Sequence, residues 1–406
     1  MFKPLVIAFP YLFERSATGQ VLRTFWEGIS SVNFSPTVLC SDAVQNNVDF
    51  CRLKCNILKT SDCQIIRYFI ALLKRIVASD FAFLPDYAYF SWAKFSAISR
   101  SLKMMKDEQF DYIHSFSYPC SSHLIAAKVK KKTNLPWVAS FYDPWYGNPY
   151  RKFKFKWSNE LNRKMESIVA ENADMIIHTN EAIYNEWVSR YGDSIKEKMF
   201  VLPLVFSIPH DTDKSSEFQH DKFVISHIGS LYEGRTATDF LLAINLLLSK
   251  HPEIKNRVRI NFVGTILESD KKYAEFLGLK DIIYYSGVVS EKDCLKFFEE
   301  SDLFVAIDGE RGRDIFFPSK IMKYFYYGKP ILGLSPKNSV LDKELLKSGN
   351  YCFRNKDIDS ISSFIYKAIT DYNSVKTNDK FYWKNFTVDI VEQRYLKLIS
   401  QLLKNK

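Results

Sequence analysis

Short apolar runs alternate with amphipathic stretches along almost the whole chain of 406 residues, and this alternation most narrows the fold. A strand that feeds a helix and then another strand packs the helix on a parallel sheet, so the pattern means α/β architecture. Strands are expected at Leu5–Phe9, Asp111–Phe116, Trp137–Tyr142, Met175–His178 and Phe200–Leu202. After a loop ending at Thr18-Gly19, a helix puts Val21, Leu22, Phe25, Trp26 and Ile29 on one face. A longer one carries Trp157, Leu161, Met165 and Ile168. Residues 207–221 are polar and aperiodic, which reads as a linker. Beyond them the alternation restarts, with strands at Phe223–Ile228, Val258–Val263, Ile282–Tyr285, Leu303–Ile307 and Ile331–Leu334. Helices are expected at Phe240–Leu248, Asp293–Glu299 and Pro318–Tyr327, and a basic one around Ile390–Leu403. At about 150 residues per domain the length allows two or three domains, and the layout favours two, flanking a ligand cleft.

Cys40, Cys51, Cys55, Cys63, Cys120, Cys294 and Cys352 form no C-x-x-C pair, which argues against a zinc ribbon and for buried thiols in a reducing cytosol. No small-residue cleavage site follows the first apolar run, so no signal peptide is expected. The best membrane candidate, 68–85, is broken by Lys74, Arg75 and Asp80. The net charge of +10 favours anionic partners, and residues 1–205 hold +7 of it. In that half, 67–77 and 150–157 interleave cations with large apolar side chains, and Lys128 and Lys130–Lys132 add charge. Such stretches suit the interface of an anionic bilayer, or a solvated face over an aromatic core. No nucleic-acid motif accompanies them, so no nucleic-acid partner is expected. The expected location is the cytoplasm, with peripheral contact at the inner face of the cytoplasmic membrane.

Glycine is scarce at 14 residues, and ten of them follow residue 228. The first motif, His227-Ile228-Gly229-Ser230-Leu231-Tyr232-Glu233-Gly234-Arg235, lies between a strand and a helix. Glycine lets a backbone approach a ligand, a helix start favours phosphate, and Arg235 adds a forked cation. Thr236-x-x-Asp239 is a candidate cap for that helix. The stretch is equally a plain βα turn. The second motif runs from Phe317-Pro318-Ser319-Lys320 through Lys323 and Tyr324 to Gly328-Lys329-Pro330. Proline at the first helical position and glycine past the last punctuate a short helix, either an anion site beside Lys320 or a well-capped core helix. Two Asp-x-Asp triplets, Asp211–Asp213 and Asp357–Asp359, lie away from strand ends and read as solvated acids, so no metal site is expected.

Together these motifs resemble the C-terminal half of glycosyltransferase family 4. In the N-terminal half, Asp111–His114, Ser121-Ser122, Tyr142-Asp143-Pro144-Trp145 and Ala173–Ile177 agree in order, and Ser301–Val305 matches the strand before the donor helix. The resemblance spans about residues 5–350. It implies the GT-B fold, two Rossmann-like α/β domains facing a central cleft. The N-terminal, acceptor-binding domain would be 1–206, with the linker at 207–221. The donor-binding domain would be 222–375, and 376–406 a helical segment crossing back to the first domain. The activity implied is a retaining, metal-independent glycosyl transfer in bacterial O-antigen, capsule or exopolysaccharide assembly. A nucleotide-diphosphate sugar would be co-substrate, a lipid-linked or oligosaccharide glycan the acceptor, and no further cofactor is needed.

Carried over by position, Gly229, Ser230, Arg235, Ser319 and Lys320 would meet the donor diphosphate. Gly287, Val288 and Val289 would lie near the base, and Lys323 near the ribose. Gly19 and Gln20 would mark a flexible acceptor-side loop, with Tyr142 facing it. Asp143 is the first candidate for general base, and His114, with its intrinsic pKa near 6.5, the second. A strand-end aspartate before proline is equally a turn former. The sequence departs from the family where two glutamates stand eight residues apart, one of them binding ribose. Here those positions are Ile315 and Lys323, and an ammonium cannot accept a hydroxyl's hydrogen bond. Tyr142 replaces a frequent histidine, and Gly264-Thr265 lacks a second glycine. These departures keep two alternatives open: a non-catalytic binding or scaffold relative, and a nucleotide-sugar epimerase of the same fold.

Overall fold

The computed structural model describes residues 1–13, 16–29, 31–42, 53–77, 86, 88–148, 155–206, 208, 221–232, 234–309, 315–376 and 379–404. The chain divides into two compact units, Met1–Ser207 with Asn385–Lys406, and Ile208–Lys384. Of the expected linker, 207 and 209–220 lie outside the described residues, as do Asp211–Asp213 and the basic run 150–154.

The first unit runs β1 (Pro4–Ile7), α1 (Ala17–Gly28), β2 (Thr37–Ser41), β3 (Asn56–Thr60), α2 (Gln64–Val77), a π-helical segment (Tyr89–Ala97) and α3 (Ile98–Asp107). It continues with β4 (Tyr112–Ser117), α4 (Ser121–Thr133), β5 (Trp137–Phe141), α5 (Lys156–Asn172), β6 (Met175–His178), α6 (Glu181–Tyr191) and β7 (Met199–Val201). The strands form one sheet in the order β3-β2-β1-β4-β5-β6-β7, parallel at every pairing. Helices cover a parallel sheet on both sides, which is why β1, β2, β4 and β5 are buried along their whole length.

The second unit comprises β8 (Phe223–Ile228), α7 (Thr238–Lys250), β9 (Val258–Val263), α8 (Glu268–Phe276), β10 (Ile283–Gly287) and α9 (Glu291–Glu300). Then come β11 (Leu303–Ile307), α10 (Lys320–Tyr327), β12 (Ile331–Leu334), α11 (Val340–Lys347), β13 (Tyr351–Phe353) and α12 (Ile358–Thr370). The sheet order is β10-β9-β8-β11-β12-β13, again all parallel. In both sheets the order reverses beside the first strand. Such folds take ligands at the carboxyl ends of the two strands flanking that reversal. These are β1 and β4 in the first unit and β8 and β11 in the second.

The last helix, α13 (Val388–Lys404), belongs to the first unit and buries Val391, Tyr395 and Ile399 in its core. Tyr395 stacks on Phe34 and meets Phe25 and Trp26 edge-on. The second core gathers Ile225, Leu241, Ile260, Val305 and Ile365. Each fully buried side chain of this kind contributes about 1.5–3 kcal/mol.

Three local expectations change. Helix α1 begins at Ala17, with Ser16 Oγ accepting from the Gly19 N–H at 3.1 Å, so Gly19 and Gln20 sit in its first turn and not in a loop. A Cβ on Gly19 would stand 2.3 Å from the Pro10 carbonyl oxygen, so the glycine lets the β1–α1 connection press on the helix. That connection is anchored, since Phe9, Tyr11 and Leu12 are buried and Arg23 donates to the Tyr11 and Phe13 carbonyls. Helix α7 has no Thr236 capping box. Its N-cap is Ala237, and Asp270 of α8 accepts from the Ala237 N–H (2.9 Å) and from the Thr236 hydroxyl. Helix α10 starts at Lys320 after Ser319, leaving Pro318 ahead of the cap, while Gly328 closes it at φ +64° as the motif implied.

Candidate active site

At the reversal point of the second sheet, β8 and β11 stay in register for two residue pairs, Leu303 with Ile225 and Phe304 with Ser226. Beyond these, the Tyr324 hydroxyl of α10 takes the Ile228 N–H at 2.9 Å and lies 3.4 Å from the Val305 carbonyl. The side chain thus satisfies backbone groups where the strands no longer pair.

Glycines floor this opening. Gly229, following β8, has φ +132°, and a Cβ there would lie 2.8 Å from Lys320 Nζ. Gly264, following β9, has φ +116°, and a Cβ would lie 2.8 Å from the Gly229 carbonyl carbon. The Gly264 N–H donates to the Gly287 carbonyl at 2.9 Å, which ties in the end of β10. Val288 is exposed just past it.

Two cations converge here. Lys320 Nζ donates to His227 Nε2 (3.1 Å), while His227 Nδ1–H donates to the Val305 carbonyl (3.0 Å), which fixes a neutral imidazole. Burial first, then the Lys320 charge, hold His227 well below its usual pKa. Burial, then the neighbouring Arg235, push Lys320 down from 10.5 to about 7, with Asp308 acting the other way. Arg235 Nε is 3.3 Å from Asp308 Oδ1, and its guanidinium lies over the Tyr232 ring with 5.5 Å to the centroid. Buried Asp308 also accepts from the Gly309 N–H (3.1 Å) and the Ser335 hydroxyl (3.4 Å). Asp308 thus lies in the field of both cations, ion-paired with Arg235 and raising the pKa of Lys320.

Of the expected donor residues, Gly229, Arg235 and Lys320 come together, and Ser230 and Ser319 are exposed beside them in sequence. The start of α7, expected to offer its dipole to phosphate, is already occupied by Asp270. At α10 the Ile321 and Met322 N–H groups are taken by the Pro318 and Ser319 carbonyls. Ile315 is buried, and Lys323 lies one turn after Lys320, half-buried. Asp308 and Tyr324 escaped the sequence reading as site residues. The signals were an acid with glycine directly after a buried strand, and a tyrosine one turn into the donor helix. Asp357 caps α12 and exposed Asp359 pairs with Lys250 at 3.2 Å, as solvated acids do.

In the first unit Asp143 is exposed two residues past β5, where a base could meet substrate. His114 is corrected. It does not face a substrate as a base would but is buried mid-strand in β4, with Nδ1 2.7 Å from the Tyr395 hydroxyl and Nε2 2.7 Å from the Ser140 hydroxyl. Its ring stacks on Phe116 at 4.1 Å, and burial, then His123, hold its pKa well below the usual value. It is a structural link between sheet and α13. A small apolar pocket beside it is lined by Tyr142, Thr179, Leu202 and Val391, among others. Tyr142 is half-buried, and its carbonyl accepts from the Thr179 hydroxyl (3.1 Å).

Two parallel sheets of this order, with the last helix returned to the first unit, make the GT-B fold of glycosyltransferases. Residues 66–204 match the family model described as Glycosyltransferase Family 4, so this stretch of the first unit is similar to that family. Among solved structures it resembles HepE from Anabaena, crystallised with UDP and glucose (14% identity, 98% of this chain and 100% of that one, TM-score 0.66). It also resembles sucrose-phosphate synthase from Thermosynechococcus elongatus (11%, 100% of both chains, TM-score 0.69). A third is the lipopolysaccharide outer core galactosyltransferase WaaB (12%, 99% of both chains, TM-score 0.62). No curated protein matches the sequence significantly. Among the described residues no helix is long and apolar enough to cross a membrane.

Proposed function

We propose that the protein transfers a sugar, with retention, from a nucleoside-diphosphate sugar to a hydroxyl of a lipid-linked glycan, in the assembly of a bacterial surface polysaccharide. The observation that carries this reading is the closeness of Arg235 and Lys320, with Lys320 packed on Gly229 and Arg235 paired to Asp308. HepE holding UDP and glucose in the same fold supports it, and WaaB supports a glycan acceptor. The bond from the sugar's anomeric carbon to the diphosphate breaks, its electron pair going to the β-phosphate oxygen. A bond to the acceptor oxygen forms on the same face, and the acceptor's proton passes to Asp143. Arg235 and Lys320 meet the charge developing on the diphosphate, a role that needs no metal.

A second reading, a relative that binds the nucleotide without turnover, is favoured by buried Ile315 and by Lys323 at the ribose position. Thermal shift with nucleoside diphosphates and their sugars tests the shared step. At least one should stabilise the protein and fail to stabilise Arg235→Ala, and no stabilisation by any of them refutes both readings. Release of free diphosphate only when a glycan acceptor is added separates the first from the second.

A further inference from the structure

Helix α2 carries an apolar strip that the fold leaves in solvent. Its inner residues Ile66, Ile70 and Leu73 pack on Tyr89 of the π-helical segment. On its outer side Ile65, Tyr68, Phe69 and Leu72 are 79%, 74%, 60% and 41% exposed. They fall at i, i+3, i+4 and i+7, so they form one continuous strip along the helix. The π-helical segment adds exposed Phe90 and Phe95. Single exposed apolar residues are ordinary, whereas a contiguous strip marks an interaction surface.

The exposed charge of the helical layer around the strip is mostly positive, although Arg67 of α2 is paired with buried Asp62 at 2.9 Å. Helix α2 packs on the π-helical segment, which packs on α3 and α4, so these elements make one helical layer. Together they contain a single acid, Asp107. Lys94, Arg100, Lys103, Lys106, Lys128 and Lys131 of the layer are exposed.

We propose that this layer docks on an anionic bilayer, with Ile65, Tyr68, Phe69 and Leu72 entering the acyl boundary and the cations lying over the headgroups. Neither contribution suffices alone, since stable peripheral binding takes an apolar insertion together with a basic patch. A second copy of the chain fits poorly, because a symmetric contact would oppose two layers of the same charge. Nucleic acid fits less well, because no nucleic-acid-binding motif accompanies the exposed rings of Tyr68, Phe69, Phe90 and Phe95. The surface fits the lipid-linked acceptor of the proposed function but does not depend on it. Nucleotide binding measured without vesicles separates failure of one from failure of the other.

The test is flotation of the full chain with phosphatidylcholine vesicles, with and without phosphatidylglycerol. The wild type should float with the anionic vesicles, and less so without phosphatidylglycerol. The Ile65→Ser/Phe69→Ser double variant should lose about tenfold or more in partitioning, from the apolar surface removed. A Lys103→Glu/Lys106→Glu variant should lose binding to anionic vesicles only. Both variants change exposed positions, and an unchanged thermal melt confirms that they fold. Equal flotation on both lipids, or a double variant that floats like the wild type, overturns the proposal. So does a wild-type dimer in light scattering that the double variant splits.

Discussion

Replacing Lys320 with methionine removes an ammonium whose protonation near neutrality should control nucleotide affinity. Burial and Arg235 place its pKa at about 7 in the free protein. A diphosphate against it favours the charged form, so the bound pKa is the higher one and binding takes up a proton. The sign follows. Below about pH 7 the free protein already carries the proton, and above it each unit of pH lowers affinity about tenfold until the bound pKa is passed. Between about pH 7 and 9 the protonated fraction falls from about one-half to one-hundredth, an affinity loss of about 50-fold. At about pH 8 binding should take up about 0.9 proton. The diphosphate's own last ionisation, near about pH 6, is complete by then and adds nothing. Isothermal titration calorimetry with UDP, in buffers of differing ionisation enthalpy, reads affinity and proton uptake together. In Lys320→Met the affinity should be low and flat above neutrality. A wild-type affinity that does not change over this range, or an equal slope in Lys320→Met, refutes the reasoning.

Gly229→Ala puts a Cβ 2.8 Å from Lys320 Nζ at φ +132°, so it should cost roughly 1–3 kcal/mol of stability and weaken UDP binding, read by denaturant melts and calorimetry. Asp143→Asn should lower kcat by about 10²–10⁴ with the melt unchanged, because the residue is exposed. His114→Gln should instead lower stability and leave the shape of the pH–rate profile as it is, since the ring is bonded at both nitrogens inside the core. Tyr395→Phe removes the hydroxyl that meets Tyr112 (2.8 Å) and His114 (2.7 Å), and should cost roughly 1–3 kcal/mol in chemical denaturation.

The two βα series were legible because parallel strands buried on both faces are continuous apolar runs. Those at Met175–His178, Phe223–Ile228, Val258–Val263, Leu303–Ile307 and Ile331–Leu334 stand where the runs placed them. β2 was not read, because Thr37–Ser41 is buried throughout yet begins and ends in hydroxyl residues. β3 escaped as well, its Asn56–Thr60 being half-exposed at the sheet edge. Gly19 looked like a turn because its role, room for the Pro10 carbonyl, is set by packing and has no local signature. His114 was taken for a base on its residue type, but its partner Tyr395 lies 281 residues away. Gly229, Arg235 and Lys320 could be singled out because a strand end followed by glycine, and a cation at a helix start, are local features, whereas their coming together could not be read locally. Asp308, which balances their charge, was visible only once β11 stood beside β8.

The most direct test of the central claim is product analysis. The protein is incubated with nucleoside-diphosphate sugars and a lipid-linked glycan, and the products are read by mass spectrometry and by NMR of the new linkage. The expected result is one added sugar with the donor's anomeric configuration, released diphosphate in equal amount, and neither in Arg235→Ala. Recovery of an isomerised nucleotide sugar with the glycan unchanged, or an added sugar of inverted configuration, contradicts it.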